Sequence, residues 1–318
     1  MENNQALTAQ DVADILKIAK NTVYELIKRG ELNSYKVGRK VRFTQDDVEE
    51  YIRRSKTIQP LPETVEAVQT VQSASKDLPG PLSSAGDFII CGQDLMLDVL
   101  SSQVEHFQGI RTLRSYIGSY NALVNLYQGN IQVATAHLWD GDSDTYNIPY
   151  VRRLLPGIPT IVVNLAYRMQ GLYVKKGNPK KISGWEDFAR DDLVMINREK
   201  GSGSRILLDE HLRQLGIDAQ NIDGYKRESQ SHFAVASIVS RGGADLAVGQ
   251  EKVALQMKNI DFIPLQKERY DLVFKKSDLN APAIRAILEI IRSDEYKMEF
   301  EGIAGYDISE MGNVIAEL

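Results

Sequence analysis

Thr22-Val23-Tyr24-Glu25-Leu26-Ile27-Lys28-Arg29-Gly30 puts Val23, Leu26 and Ile27 at the i, i+3, i+4 spacing of one helix face, and closes on a glycine suited to stop a helix. Asn21 or Thr22 can cap its start. Upstream, Thr8 followed by Asp11 reads as an N-cap with an acidic first turn, and Val12, Ile15 and Leu16 repeat the same spacing in a first helix. Only a short turn at residues 18–20 separates the two, which is the geometry of a helix-turn-helix whose second helix can enter a major groove. Downstream, Tyr35, Val37, Val41 and Phe43 flank a Gly38-Arg39 turn and predict a short two-stranded wing. Thr44 with Asp47 repeats the cap pattern ahead of Val48, Tyr51 and Ile52, so a third helix closes a small core with the first two. The apolar positions are expected to face inward throughout.

That arrangement leaves Lys20, Asn21, Thr22, Tyr24 and Lys28 on the outer face of the second helix, and Arg39, Lys40 and Arg42 at the wing. Asn, Thr and Tyr reach base edges or phosphate oxygens, while wing arginines and lysines suit phosphates or a minor groove. Residues 1–56 hold 11 Lys/Arg against 9 Asp/Glu, leaving 27 against 34 for the remainder, so the first segment is the better polyanion binder. With Leu7-Thr8-Ala9-Gln10-Asp11-Val12-Ala13 and Val37-Gly38-Arg39-Lys40-Val41-Arg42-Phe43, it resembles the excisionase/MerR-like winged helix-turn-helix DNA-binding domain over about 50 residues. Double-stranded operator DNA is the partner that the resemblance implies.

The 318-residue chain is 43% apolar and 25% charged, an ordinary globular composition long enough for two or three domains. Its longest apolar runs, such as residues 160–166, fall far short of the roughly 20 residues needed to span a bilayer, and no export signal is evident. A cytoplasmic location is expected. The lone cysteine, Cys91, excludes an intrachain disulfide and reads as a small buried side chain near a strand end. No metal cluster, catalytic pair or cofactor motif has recognisable spacing, and no enzyme activity is expected.

Residues 55–86 are rich in Pro, Ser, Gln and Thr and predict a linker between a DNA-binding domain at 1–54 and a larger domain at 87–318. In that larger region, strand-like runs at residues 88–91, 131–136, 160–165, 193–197, 245–248 and 261–265 alternate with helical patterns. The alternation predicts an α/β architecture with parallel sheets, and its length suits two lobes with a cleft. Four strand-to-helix junctions carry small polar residues: Cys91-Gly92-Gln93-Asp94, Gly118-Ser119-Tyr120-Asn121, Asn197 through Arg205, and Glu228-Ser229-Gln230-Ser231-His232. Helix N-termini leave backbone N–H groups unpaired beside a partial positive charge, so several converging on one cleft form an anion site. In the third junction Gly201 and Gly203 allow close approach, Ser202 and Ser204 add hydroxyls, and Arg198 and Arg205 can clamp an anion. It lacks the lysine and spacing of a nucleotide-phosphate loop.

The order of these pieces, including Ala134-Thr135-Ala136-His137-Leu138-Trp139-Asp140, Tyr167-Arg168-Met169-Gln170-Gly171-Leu172 and Gly243-Ala244-Asp245, resembles a periplasmic-binding-protein-like domain of the type II, molybdate-binding-like kind. The resemblance implies two lobes hinged near residues 165–168 and 266–270, with ligand between them. Its implied pocket takes Gln93, Ser119, Tyr120, His137, Arg168, Arg198, Ser202, Gly203, Ser204, Arg205, Ser231 and His232, and an oxyanion such as molybdate or tungstate. The first junction departs from the expected small serine or glycine pair. The chain thus reads as a one-component transcription regulator, a homodimer or homotetramer whose cleft controls its DNA-binding modules. A small organic acid or phosphorylated metabolite, using Trp139, Tyr120 and Tyr167, is the alternative ligand; an enzyme acting on an anionic substrate is a third reading.

Overall fold

The computed structural model describes residues 7–16, 20–28, 32–37, 40–45, 47–48, 51 and 88–318. The chain divides into two compact units between Leu78 and Pro79. The predicted linker at 55–86, the inter-helix turn, the stop at Gly30, the Gly38-Arg39 turn and Ile52 lie outside the described residues.

In the first unit, α1 (Ala9–Leu16) and α2 (Lys20–Lys28) precede an antiparallel pair, β1 (Tyr35–Val37) and β2 (Lys40–Arg42). The Thr8 amide and hydroxyl both donate to the Asp11 carboxylate at 2.8 Å, while the Asp11 amide donates back to Thr8 Oγ1 at 3.2 Å. Those bonds hold the Asp11 carboxyl below its ordinary range. Thr44 and Asp47 repeat the arrangement at 2.8, 2.7 and 3.2 Å, ahead of helical backbone at Gln45, Asp47, Val48 and Tyr51. Ala9, Val12, Ala13, Val23, Leu26, Leu32, Phe43 and Val48 form the core. Two expectations are corrected. Ile15 is 48% exposed, because the buried stripe of α1 runs through Ala9, Val12, Ala13 and Leu16. Asn21 and Thr22 stand inside the first turn of α2, which begins at Lys20, so neither is its cap.

The second unit opens with β3 (Phe88–Cys91), α3 (Leu95–Gln108), β4 (Thr112–Ser115), α4 (Ser119–Gln128) and β5 (Val133–Ala136). A small hairpin, β6 (Trp139–Asp140) with β7 (Thr145–Tyr146), leads through α5 (Ile148–Leu154) into β8 (Thr160–Lys175). Next come β9 (Asn197–Arg198), α6 (Gly203–Leu215), β10 (Glu228–Ser229), α7 (His232–Ser240), β11 (Leu246–Gln250) and α8 (Glu251–Ala254). β12 (Ile260–Lys275), α9 (Pro282–Arg292), α10 (Asp294–Glu301) and β13 (Val314–Glu317) complete it.

Seven strands form one sheet, ordered β11-β8-β12-β5-β3-β4, with β13 also on β8. β3 pairs in parallel with β4 and β5, as expected, but β8, β11, β12 and β13 pair antiparallel, so the sheet is mixed. The cause is that β8 and β12, 16 residues each, run through both lobes as one long antiparallel ladder. The first half of β8 joins β13 and the last half of β12 joins β5 in lobe 1, while in lobe 2 the later half of β8 lies between the first half of β12 and β11. Register breaks at Pro264/Gln266 and Tyr270/Asp271 bracket the crossing.

Strand alternation fills both faces of each lobe. Val163 and Leu272 face the layer of α3 and α9, with Leu97, Leu100, Ile284 and Ile287, whereas Val162 and Val273 face Leu123 and Leu126 of α4. In lobe 2, Leu172, Val174 and Leu246 meet Leu208 and Leu212 of α6, and Tyr173 and Ala247 meet Val235 and Val239 of α7. Cys91 is fully buried at the end of β3, and burial pushes its thiol up to about 11.

Candidate functional site

The four polar junctions converge where the lobes meet. Asp94 caps α3 by accepting from the Met96 amide at 3.0 Å, Gly118 precedes α4, and Ser202 and Ser231 cap α6 and α7 by accepting from the Arg205 and Ala234 amides. The first N–H groups of all four helices lack partners within their own helix and point their dipoles toward one place. Lobes touch there directly. The Tyr120 amide of lobe 1 donates to the Gly201 carbonyl of lobe 2 at 3.0 Å, and Arg198 Nη2 donates to Gln93 Oε1 at 3.0 Å. Glycine is required by this closeness: a Cβ at Gly118 would strike the Gly201 carbonyl, and one at Gly203 would strike the His137 ring.

Between them lies a small cavity with room for a compact ion or water. Gln93, Ser119, His137, Arg168, Arg198, Ser202, Gly203 and His232, all expected from the sequence, line it. Four other expected residues do not. Tyr120 is exposed, and only its backbone ties the lobes. Ser204 donates to Gln170 at 3.2 Å, and Ser231 serves as a cap. Arg205 turns away to Asp209 and Glu228, with its guanidinium 4.1 Å from the Tyr225 ring centroid. Gly92, Ile117, Gly118, Thr135, Gln250 and Tyr270 also line the cavity. Thr135, Gln250 and Tyr270 are supplied by β5, β11 and β12, and none of them was among the residues expected to line the pocket.

Behind the lining stands a buried ionic frame. Arg168 on β8 donates to Asp94 at 2.8 Å, lies 2.6 Å from Glu268 on β12, and stacks over Tyr270 at 3.7 Å from its centroid. Lys252 of lobe 2 reaches Asp94 of lobe 1 at 3.2 Å and bonds Tyr306. Glu268 also accepts from Gln170 at 2.8 Å and pairs with His137 Nδ1 at 2.8 Å. Burial alone would raise the Glu268 carboxyl, but Arg168 and His137 outweigh it and hold it down at about 2. Asp94 is likewise held low against its burial by Lys252 and Arg168. Arg198 is paired with Glu199 at 2.8 Å. His232 is buried, its Nδ1 has no protein partner, and burial together with nearby cations drives its pKa well below the ordinary histidine value.

The aromatic side chains considered for an organic ligand stand elsewhere. Trp139 and Trp185 sandwich His211 at 4.3 and 4.2 Å, and Tyr167 donates to Glu310 at 2.8 Å.

On the first unit, Lys20, Asn21 and Thr22 are exposed on α2 and Tyr24 is 46% exposed. Lys28 ends α2 and Lys40 begins β2. Arg42 is half-buried and donates to the Val41 carbonyl at 3.2 Å; Arg39 lies outside the described residues.

Among the described residues, no helix is long and apolar enough to cross a membrane. Residues 101–292 match the model of the PBP superfamily domain, and residues 6–56 match that of a helix-turn-helix domain. The uncharacterized protein YvgK of Bacillus subtilis (strain 168) is 41% identical over 317 residues, covering 100% of both chains. An uncharacterized protein in the ferredoxin 2Fe-2S gene 5'region of Clostridium pasteurianum is 64% identical over 113 residues, 36% of this chain and 100% of that one. The P235GK mutant of ArgBP from T. maritima shares the fold at a TM-score of 0.50 and 13% identity, over 69% of this chain and 95% of that one. The chain belongs to the PBP superfamily, its PBP-like ligand-binding domain fused behind a helix-turn-helix DNA-binding domain.

Proposed function

We propose that this protein is a one-component transcription regulator of the cytoplasm that senses a small oxyanion, molybdate or tungstate, in the cleft of its second unit. The observation that carries the reading is a small cavity facing four helix N-termini, with Arg198 and Ser119 in its wall. A bare tetrahedral oxyanion is compact, and it accepts hydrogen bonds on all sides. An amino acid or aromatic acid is larger, and Tyr270 and two imidazoles are the rings in the cavity wall. Operator DNA is read through Lys20, Asn21, Thr22, Tyr24 and Lys28 of the second helix, with Arg39, Lys40 and Arg42 at the wing. Residues 55–86 serve as the linker between 1–54 and 87–318. A homodimer or homotetramer presents paired modules to paired half-sites. The protein binds its ligand without turning it over.

A thermal-shift screen of the full chain against molybdate, tungstate, sulfate, phosphate and small organic acids tests the ligand. An occupant at 100-fold excess over its Kd stabilises by about 2.7 kcal/mol. A shift with molybdate or tungstate alone, and a change in affinity for its own promoter DNA on adding the same anion, support the reading. A shift only with organic acids overturns the oxyanion and leaves the architecture standing.

A further inference from the structure

The arginines, lysine and carboxylates around the cavity pair off, with His137 added on Glu268. Three cations, Arg168, Lys252 and Arg198, are matched by three carboxylates, Asp94, Glu268 and Glu199, each within ion-pair distance of its partner. A doubly charged oxyanion therefore meets a frame whose positive charge is already neutralised, and an uncompensated charge in a buried cavity is costly. His232 is the neutral titratable group best placed to correct this. It is 8% exposed, begins α7, lines the cavity, and its Nδ1 has no protein partner. The charged groups facing it are Arg198 from β9, Arg168 from β8 and Lys252 from α8, with His137 beyond β5. The carboxylates are committed to those cations and to His137.

A neutral imidazole offers one N–H and one bare lone pair, whereas an unprotonated oxyanion accepts only. Adding a proton to His232 turns the lone pair into a second donor and supplies the missing positive charge without moving a side chain. An anion within about 4–6 Å reverses the balance that keeps the free imidazole neutral. We propose that His232 couples oxyanion binding to the uptake of one proton, so that molybdate or tungstate enters the site together with H⁺. This rests on the oxyanion reading of the cleft. The regulator then responds to the anion and to acidity jointly: affinity falls about tenfold for each pH unit above neutrality, where the free imidazole is unprotonated.

Isothermal titration calorimetry of the full chain with sodium molybdate and sodium tungstate, in buffers of different ionisation enthalpy at one pH, counts the protons directly. About one proton taken up per anion is expected, with a tenfold loss of affinity from pH 7 to pH 8. His232→Gln keeps a donor and an acceptor but takes no proton, so its complex should show near-zero uptake and a flat pH profile. His211→Gln, a histidine held between Trp139 and Trp185 outside the cavity wall, should keep both the proton and the slope. Binding by the unaltered chain with no proton uptake overturns the inference while the oxyanion reading survives, and so does a proton still taken up by His232→Gln. The wild-type count stands even if a variant fails to fold. No binding of any tested oxyanion removes the reading beneath it as well.

Discussion

Replacing Arg168 by Met tests the buried frame behind the cavity. The Arg168 side chain is 2% exposed, and its partners Asp94 and Glu268 are 0% and 1% exposed. Methionine approximates the volume but leaves two carboxylates without their shared cation. Breaking a buried pair this way costs about 3–5 kcal/mol. For a domain of this length that lowers Tm by roughly 6–20 °C. The sign of the pH dependence follows from the lowered carboxyl. Glu268 contributes stability above pH 4.5 that is lost as pH falls toward 2. In Arg168→Met both carboxyls rise and take up protons readily on acidification, so the gap to the unaltered protein should narrow between pH 7 and pH 4. Circular-dichroism melts of the full chain at those two pH values measure it. A variant melting within about 2 °C of wild type at pH 7, or a gap that widens in acid, would refute the account.

Gly203→Ala pushes a methyl group into the His137 ring; overpacking of this kind costs about 1–3 kcal/mol, and calorimetry should show weaker anion binding with DNA binding by the first unit retained. Arg198→Ala removes a cation from the cavity wall and the link to Gln93, so anion affinity should fall at least tenfold while the melting temperature without anion moves by less than it does in Arg168→Met. Thr44→Ala deletes a reciprocal cap worth about 1 kcal/mol; the first unit should melt earlier, read by the far-ultraviolet signal, and the calorimetric anion affinity of the cleft should not change.

The local chemistry of both units was legible in the residues. Thr8 with Asp11 and Thr44 with Asp47 announce their caps because a hydroxyl and a carboxylate three residues apart have one good arrangement at a helix start. The four junctions were readable for the same reason, and with them six of the eight expected lining residues; His137 and Arg168 lie outside the junctions and came from the resemblance. Periodicity did not reveal the full length of β8 and β12. Their apolar runs break at Arg168 and Gln170 and at Lys267-Glu268-Arg269, which read as strand ends. The polar residues are there because the strands pass through the cleft at that point, and Arg168, Gln170 and Glu268 bond one another and the cavity wall instead of a core. Arg205 misled for a related reason. An arginine next to a Gly-Ser turn has two sides to choose from, and Asp209, one turn further along α6, draws it away from the cavity.

The passage of β8 and β12 through both lobes also sets the order in which the unit can be built. Lobe 2 is drawn from one continuous stretch, the later half of β8 through the first half of β12. Lobe 1 is not: its sheet needs β12 and β13, and its packing needs Ile284, Ile287 and Phe300. A chain emerging from the ribosome N-terminus first has the helix-turn-helix segment free long before the first lobe of the ligand-binding domain can close, because that lobe waits for β12 and β13, which follow lobe 2 in sequence. Completion of the ligand-binding domain is therefore a late, long-range event that reaches back across more than two hundred residues, and a chain cut short before β12 would carry a helix-turn-helix module beside an unfinished ligand-binding domain.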